Sequence, residues 1–175
     1  MHWPRSVRPV ASVSSAGDVS FRRRTLTNPP DAAELLKRLA GLQPDSARRW
    51  GRMSAPQMVS HLRDAFLMGT AQKPVRRQSA LHQRTIVKWI ALYAPIKWPA
   101  GRIATVPEID QTIGGTPPGD FDRDVADVRA LVEIISSQRG FFEGRTHPIF
   151  GQLSDAEWMR WGYLHVDHHL RQFGF

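Results

Sequence analysis

The chain predicts an all-α fold of four principal helices and a short extra one. Three observations carry that expectation. Apolar residues recur three and four apart in several segments, the spacing of a half-buried helix. Two of those segments open on complete capping signatures, Ser54-Ala55-Pro56-Gln57 and Ser154-Asp155-Ala156-Glu157, in which a serine and a residue three positions on satisfy each other's free backbone donors. No segment alternates apolar and polar residues well enough to predict a strand, and no internal repeat is visible.

The first helix runs from Asp31 to Leu42, with Ala32, Leu35, Leu36, Leu39 and Leu42 on one face and Gly41 marking its end. Gln43-Pro44-Asp45-Ser46 is a turn. The helix that starts at Ser54 carries Pro56 in its first turn and puts Met58, His61, Leu62, Ala65 and Phe66 on one stripe. It ends near Gly69. Residues 70–80 read as a loop, and the very apolar stretch from Leu81 to Tyr93 that follows is stopped by Pro95. Between Ile96 and Gly119 stand Pro99, Gly101, Pro107, Gly114, Gly115, Pro117 and Pro118. A connection this long and irregular in a compact domain is functional or disordered more often than filler. Asp120 or Asp122 caps the next helix, which carries Val125, Val128, Leu131, Val132, Ile134 and Ile135 and ends before Gly140. After a loop from Phe141 to Leu153, the final helix spans about Ala156 to Gln172.

At 175 residues the chain is expected to hold one domain. It has no cysteine, which removes disulfides, thiolate metal ligands and a cysteine nucleophile together. Any metal must be held by nitrogen and oxygen. No segment approaches the ~20 apolar residues of a membrane span. Arg22-Arg23-Arg24 is followed by Asn28-Pro29-Pro30-Asp31 and not by an apolar core, so no export signal is expected and the protein is placed in the cytoplasm with no membrane partner. Residues 1–28 hold five arginines against Asp18, which is half of the net charge of +8, and read as a poorly ordered basic leader to a domain spanning 29–175. A second basic interval lies between Asp64 and Glu108, where no acidic residue occurs. It holds Lys73, Arg76, Arg77, Arg84, Lys88, Lys97 and Arg102, interleaved with Trp89, Tyr93 and Trp98. Its two readings are a patch for anions or nucleic acid and a solvated helix face with loop lysines. The second is preferred, and nucleic acid is not expected as a partner.

The chemistry concentrates at the end of the chain. His165-Val166-Asp167-His168-His169 places three of the seven histidines within five residues. Residues four apart lie over one another on a helix, with Cβ atoms about 5–6 Å apart, so His165 and His169 can aim at one point and bind a divalent metal at ~2.0–2.1 Å. By spacing alone His168 can replace His169. A third candidate is His61, on the apolar face of the second helix. Two ligands from a late helix and one from an early one leave coordination positions open, the arrangement of a catalytic metal. Trp158, Trp161, Gly162 and Gln172 share the stripe with His165 and His169, which is equally what satisfied histidines in an ordinary core would show. Spacing does not decide between the two. His82 and His147 are read as loop or helix-end histidines without assigned chemistry.

Arg49-Trp50-Gly51 leading into Met53-Ser54-Ala55-Pro56-Gln57-Met58-Val59-Ser60-His61-Leu62 resembles the DinB/YfiT-like superfamily. So does His147-Pro148-Ile149-Phe150-Gly151 leading through Glu157-Trp158 to His165-Val166-Asp167-His168-His169-Leu170-Arg171-Gln172-Phe173. The similarity is to a branch of uncharacterised bacterial proteins within it, over about residues 31–175. It implies a four-helix bundle with long crossover loops, and the metal ligands His61, His165 and His169, with His168 a neighbour that does not ligate. It also implies a metal-dependent enzyme in which zinc or nickel activates a low-molecular-weight thiol or water for reaction with a small-molecule substrate. The reaction class is transferase or isomerase, or hydrolase.

The chain is consistent with that chemistry in lacking a nucleophile of its own, since no serine stands in a G-x-S-x-G context. Gln172 and Asp64 are candidates for contacts behind the ligands or to substrate, with a plain helix-surface role preferred for Asp64. The 96–119 connection is expected near the open side of the site, shaping a substrate cleft. The alternative function is a non-catalytic, stress-associated metal-binding bundle. Nucleic-acid binding by the basic interval and leader ranks last, and a homodimer is left open.

Overall fold

The structure, a computed structural model, describes residues 23–77, 80–102 and 105–175. It is predominantly helical, with one two-stranded sheet. In chain order the elements are α1 (Pro29–Ala40), α2 (Ala55–Gly69), a π-helical turn (Gln83–Val87) running into α3 (Lys88–Tyr93), a 3₁₀ turn (Pro107–Ile109), α4 (Phe121–Ser137), β1 (Thr146–His147), β2 (Gly151–Gln152) and α5 (Asp155–Gln172). α1 and α2 each pack against both α4 and α5, and α3 leans on α5.

The capping signatures act as their residues dictate. Ser54 Oγ accepts from Gln57 N at 3.3 Å while Gln57 Oε1 accepts from Ser54 N at 2.9 Å. Ser154 and Glu157 repeat the exchange at the start of α5, at 3.2 and 2.8 Å. Asp120 caps α4 by accepting from Arg123 N at 2.9 Å. α1 begins two residues before the expected Asp31: Asn28 is its cap, and Pro29 and Pro30 are tolerated in a first turn whose N–H groups have no helical partner.

The core between these helices is continuous: Leu35, Leu39, Met58, Leu62, Phe66, Val128, Ile135, Trp158, Met159 and Leu170 are all buried. Packing starts upstream of residue 29. Leu26 is 1% exposed and reaches α5 at Gly162, where a Cβ would stand 2.7 Å from Leu26 Cδ1. Ion pairs cross between helices, among them Arg63–Asp124 at 2.6 Å and Arg38–Asp167 at 2.9 Å. The leader expected over 1–28 lies, up to residue 22, outside the described residues.

One expectation about the elements is corrected. The loop from Phe141 to Leu153 contains a strand pair, Thr146 opposite Gln152 and His147 opposite Gly151. Two-residue strands are too short to display the alternation by which a strand is read from sequence. The apolar stretch from Leu81 to Tyr93 is helical, but of its large apolar residues only Leu92 is fully buried. Part of the basic interval is neutralised from outside it: Lys73 pairs with Asp64 at 3.1 Å and Lys88 with Glu157 at 3.1 Å. Among the described residues no helix is long and apolar enough to cross a membrane.

Candidate metal centre

α2 and α5 bring three imidazoles together in the core. His61 is 2% exposed, His165 8% and His169 8%. Their ring centroids are 5.1 Å apart for His61–His165, 4.7 Å for His61–His169 and 4.8 Å for His165–His169, every pair edge to face. One nitrogen of each lies within 4.8 Å of the others, a group that can hold a metal ion. The Nε2 atoms of His61 and His165 face one another at 3.1 Å.

The remaining ring nitrogens decide how these rings present themselves. His61 Nδ1 donates to the Ile109 carbonyl at 2.7 Å, so its Nε2 carries the lone pair. His169 Nδ1 faces Gln172 Oε1 at 3.0 Å, and since an amide oxygen only accepts, that nitrogen is the donor and Nε2 is left for the centre. Gln172 is itself fixed, its Nε2 donating to the Trp50 carbonyl at 2.9 Å. Gly51 makes this approach possible. Its φ is +77°, and a Cβ there would stand 2.5 Å from Gln172 Nε2. His165 Nδ1 is buried without a hydrogen bond.

Burial is the main cause holding all three rings neutral. It lowers the pKa of His61, partly offset by the Ile109 carbonyl, and pushes His165 and His169 well below the ordinary histidine value, where the neighbouring histidines add to the effect. Neutral imidazoles are the form that binds a divalent cation, with the Nε2 lone pair of His61 and His169 left free by the bonds at Nδ1, and a nitrogen-only donor set suits zinc, nickel, copper or iron. The residues fit an imidazole-bound metal.

His168 points elsewhere. It is buried, its pKa lowered to about 4 chiefly by burial, and its ring packs between Trp50 at 6.1 Å and Trp98 at 5.9 Å. It is not in the three-histidine group. Trp161 stacks on His165 at 4.8 Å, and Trp98 stands 6.3 Å from the same ring.

The 96–119 connection reaches the site through the Ile109 carbonyl and is tied to α2 below it. Asp64, for which a surface role was preferred, is instead fully buried. Its carboxylate accepts from Thr116 N and Oγ1, both at 2.7 Å, and from Gln111 Nε2 and Lys73 Nζ, both at 3.1 Å. Ser60 Oγ donates to the Thr116 carbonyl at 2.6 Å.

His147, read as a loop histidine, sits at the end of β1, 3% exposed. Its Nδ1 accepts from the N–H groups of Ile149 and Phe150, both at 3.2 Å. It packs on Trp161 at 5.0 Å, so the strand pair buttresses the ring that covers His165. His82 lies exposed beside the π-helical turn and is not in the three-histidine group. Sequence reasoning had no signal for the Ile109 carbonyl, since every residue carries one. The Trp50 and Trp98 rings were visible only as members of other motifs.

Neither a curated protein nor a solved structure matches the chain. The sequence model of one family, the proteins of unknown function designated DUF1569, matches residues 21–174 and so takes in both helices that carry the histidines. The chain belongs to the DUF1569 family.

Proposed function

We propose that this protein is a metal-dependent enzyme on a four-helix bundle of the DinB/YfiT-like type. His61, His165 and His169 hold one divalent cation, zinc or nickel. The observation that carries this reading is the pair of hydrogen bonds behind the rings: the Ile109 carbonyl and the Gln172 amide each take an Nδ1 proton and leave the Nε2 lone pair directed inward. Metal-binding histidines are oriented by such partners as a rule.

When bound, a cation in a neutral three-imidazole shell keeps its full charge and acidifies a coordinated low-molecular-weight thiol or water, supplying the nucleophile that a cysteine-free chain lacks. The chain's own residues position and seal. Ile109 and Gln172 fix two rings, and Trp161 covers the third. The 105–116 segment, held against α2 by Asp64, backs His61 through the Ile109 carbonyl. No side chain is assigned a covalent bond to substrate. The reaction class is transfer or isomerisation through a thiol, or hydrolysis, of a small electrophilic substrate.

The test is the metal content of protein purified without chelator or affinity metal, followed by a screen of small thiols with electrophilic acceptors. One equivalent of metal and turnover that chelation removes are the expected results. Metal-free protein that cannot be loaded refutes the reading. The burial of all three histidines favours a second one, a non-catalytic metal site that ties α2 to α5. A cobalt-loaded protein whose spectrum does not respond to azide or thiols selects it.

A further inference from the structure

The helical stretch from Leu81 to Tyr93 and the turn after it display apolar side chains that the fold leaves uncovered. Leu81 is 79% exposed, Ile86 65%, Trp89 61% and Ile96 57%, with Val87 and Ile90 near 40%. Single exposed hydrophobics are ordinary, but six fall between residues 81 and 96, and Ile86, Trp89 and Ile90, three and four apart, share one helical face. The exposure is not that of a frayed end, because the opposite side of the same stretch is tied down. Leu92 is buried and its carbonyl accepts from Arg160 Nε at 3.2 Å. Trp98 Nε1 donates to the Ala91 carbonyl at 2.8 Å, and Glu157 accepts from Tyr93 Oη at 3.0 Å and pairs with Lys88.

Within the stretch itself the charge has one sign, and the acidic groups that reach it, Glu157 at Lys88 and Glu108 at Arg76, come from outside. No acidic residue occurs from 65 to 107. Lys97 and Arg102 stand exposed beyond its C-terminal end, and Arg76, its side chain 91% exposed and paired with Glu108 at 3.7 Å, precedes it. A second copy of this chain docked face to face by a two-fold axis would set these cations against themselves. Nucleic acid would match the cations, but its phosphate surface has no use for Leu81, Ile86, Ile90 and Ile96. A bilayer surface with anionic headgroups meets both requirements: apolar side chains enter the acyl boundary while lysine and arginine meet phosphate.

We propose that the face carrying Ile86, Trp89, Ile90 and Ile96 docks in the plane of an anionic lipid surface, with Lys97 and Arg102 on the headgroups. This is peripheral binding and involves no spanning helix. It stands independently of the metal centre.

Full-length protein is sedimented with vesicles of equal parts phosphatidylglycerol and phosphatidylcholine, and with phosphatidylcholine alone. The expected result is partition onto the anionic vesicles, weakened by salt. An Ile86→Glu/Trp89→Glu variant loses at least about tenfold, and Lys97→Glu/Arg102→Glu a comparable amount. Both pairs are surface residues, and circular dichroism checks that the variants keep the fold. Three results overturn the proposal. Equal partition of wild type and the apolar variant assigns binding to other cations, such as the arginines before residue 25. A wild-type dimer that Ile86→Glu dissolves, with no vesicle binding, assigns the face to a second copy. Retention on duplex DNA that these variants abolish, again without vesicle binding, assigns it to nucleic acid.

Discussion

Gln172 Oε1 lies 3.0 Å from His169 Nδ1, one turn further along the same helix, and the other end of that amide is held by the Trp50 carbonyl. The segment before α2 and the end of α5 therefore meet on the back of one imidazole.

Gln172→Ala removes the acceptor behind His169 and is expected to weaken metal binding by about 10–100-fold. Gln172→Glu keeps an acceptor toward the ring and is expected to retain most of the affinity. Competition with a chelator of known affinity measures both. An alanine variant that binds as tightly as wild type removes Gln172 from the site.

The ligand assignment makes a sharper demand. His61→Ala, His165→Ala and His169→Ala are each expected to lose stoichiometric metal, while His168→Ala keeps it, its ring being packed between two tryptophans outside the group. Metal analysis of the four purified variants decides. Loss in His168→Ala with retention in His169→Ala would exchange the two residues.

Asp64→Ala leaves Lys73 and two donors of Thr116 without their acceptor. Removing one partner of a buried pair costs about 3–5 kcal/mol, discounted here because Lys73 keeps some solvent access. A loss of about 3 kcal/mol in urea unfolding is expected, together with faster proteolysis between residues 105 and 116. Unchanged stability would mean that the carboxylate network is not formed.

Burial lowers the His147 pKa from 6.5 to about 3. Below pH 6.5 the unfolded chain takes up a proton at this ring that the folded chain refuses. The contribution to stability is therefore complete above that value and declines as pH falls toward 3. At about 1.4 kcal/mol per pH unit the full effect is of order 5 kcal/mol. His147→Asn can still accept from the backbone of the turn and does not titrate. Its unfolding free energy is expected to fall less than that of wild type between pH ~6.5 and ~4.5, and parallel curves would place the titration elsewhere.

The helices were legible because their determinants are local. Ser54 and Gln57, like Ser154 and Glu157, are three residues apart and close their own capping rings. His61 was placed on an inward stripe by periodicity alone, and the structure brings it beside His165 and His169. Asp64 was misread because a carboxylate looks like a surface group until its partners are known, and Thr116 is 52 positions away. His147 was misread for the same reason: what buries it is the aromatic set Phe150, Trp158 and Trp161, most of it on another element. The exposure of Ile86 and Trp89 was illegible because apolar composition states that a residue prefers cover, not whether the fold supplies any.

The hydrogen bond from His61 to the Ile109 carbonyl makes one ring answer to two equilibria. Whatever free energy an ion gains by finding that ring already oriented is the free energy by which the same ion steadies the connection around Ile109, since thermodynamic coupling between two sites is reciprocal. Amide hydrogen exchange between residues 105 and 116 then serves as a gauge of occupancy. It slows on loading by the factor through which the tethered loop raises affinity, and a single titration can read both.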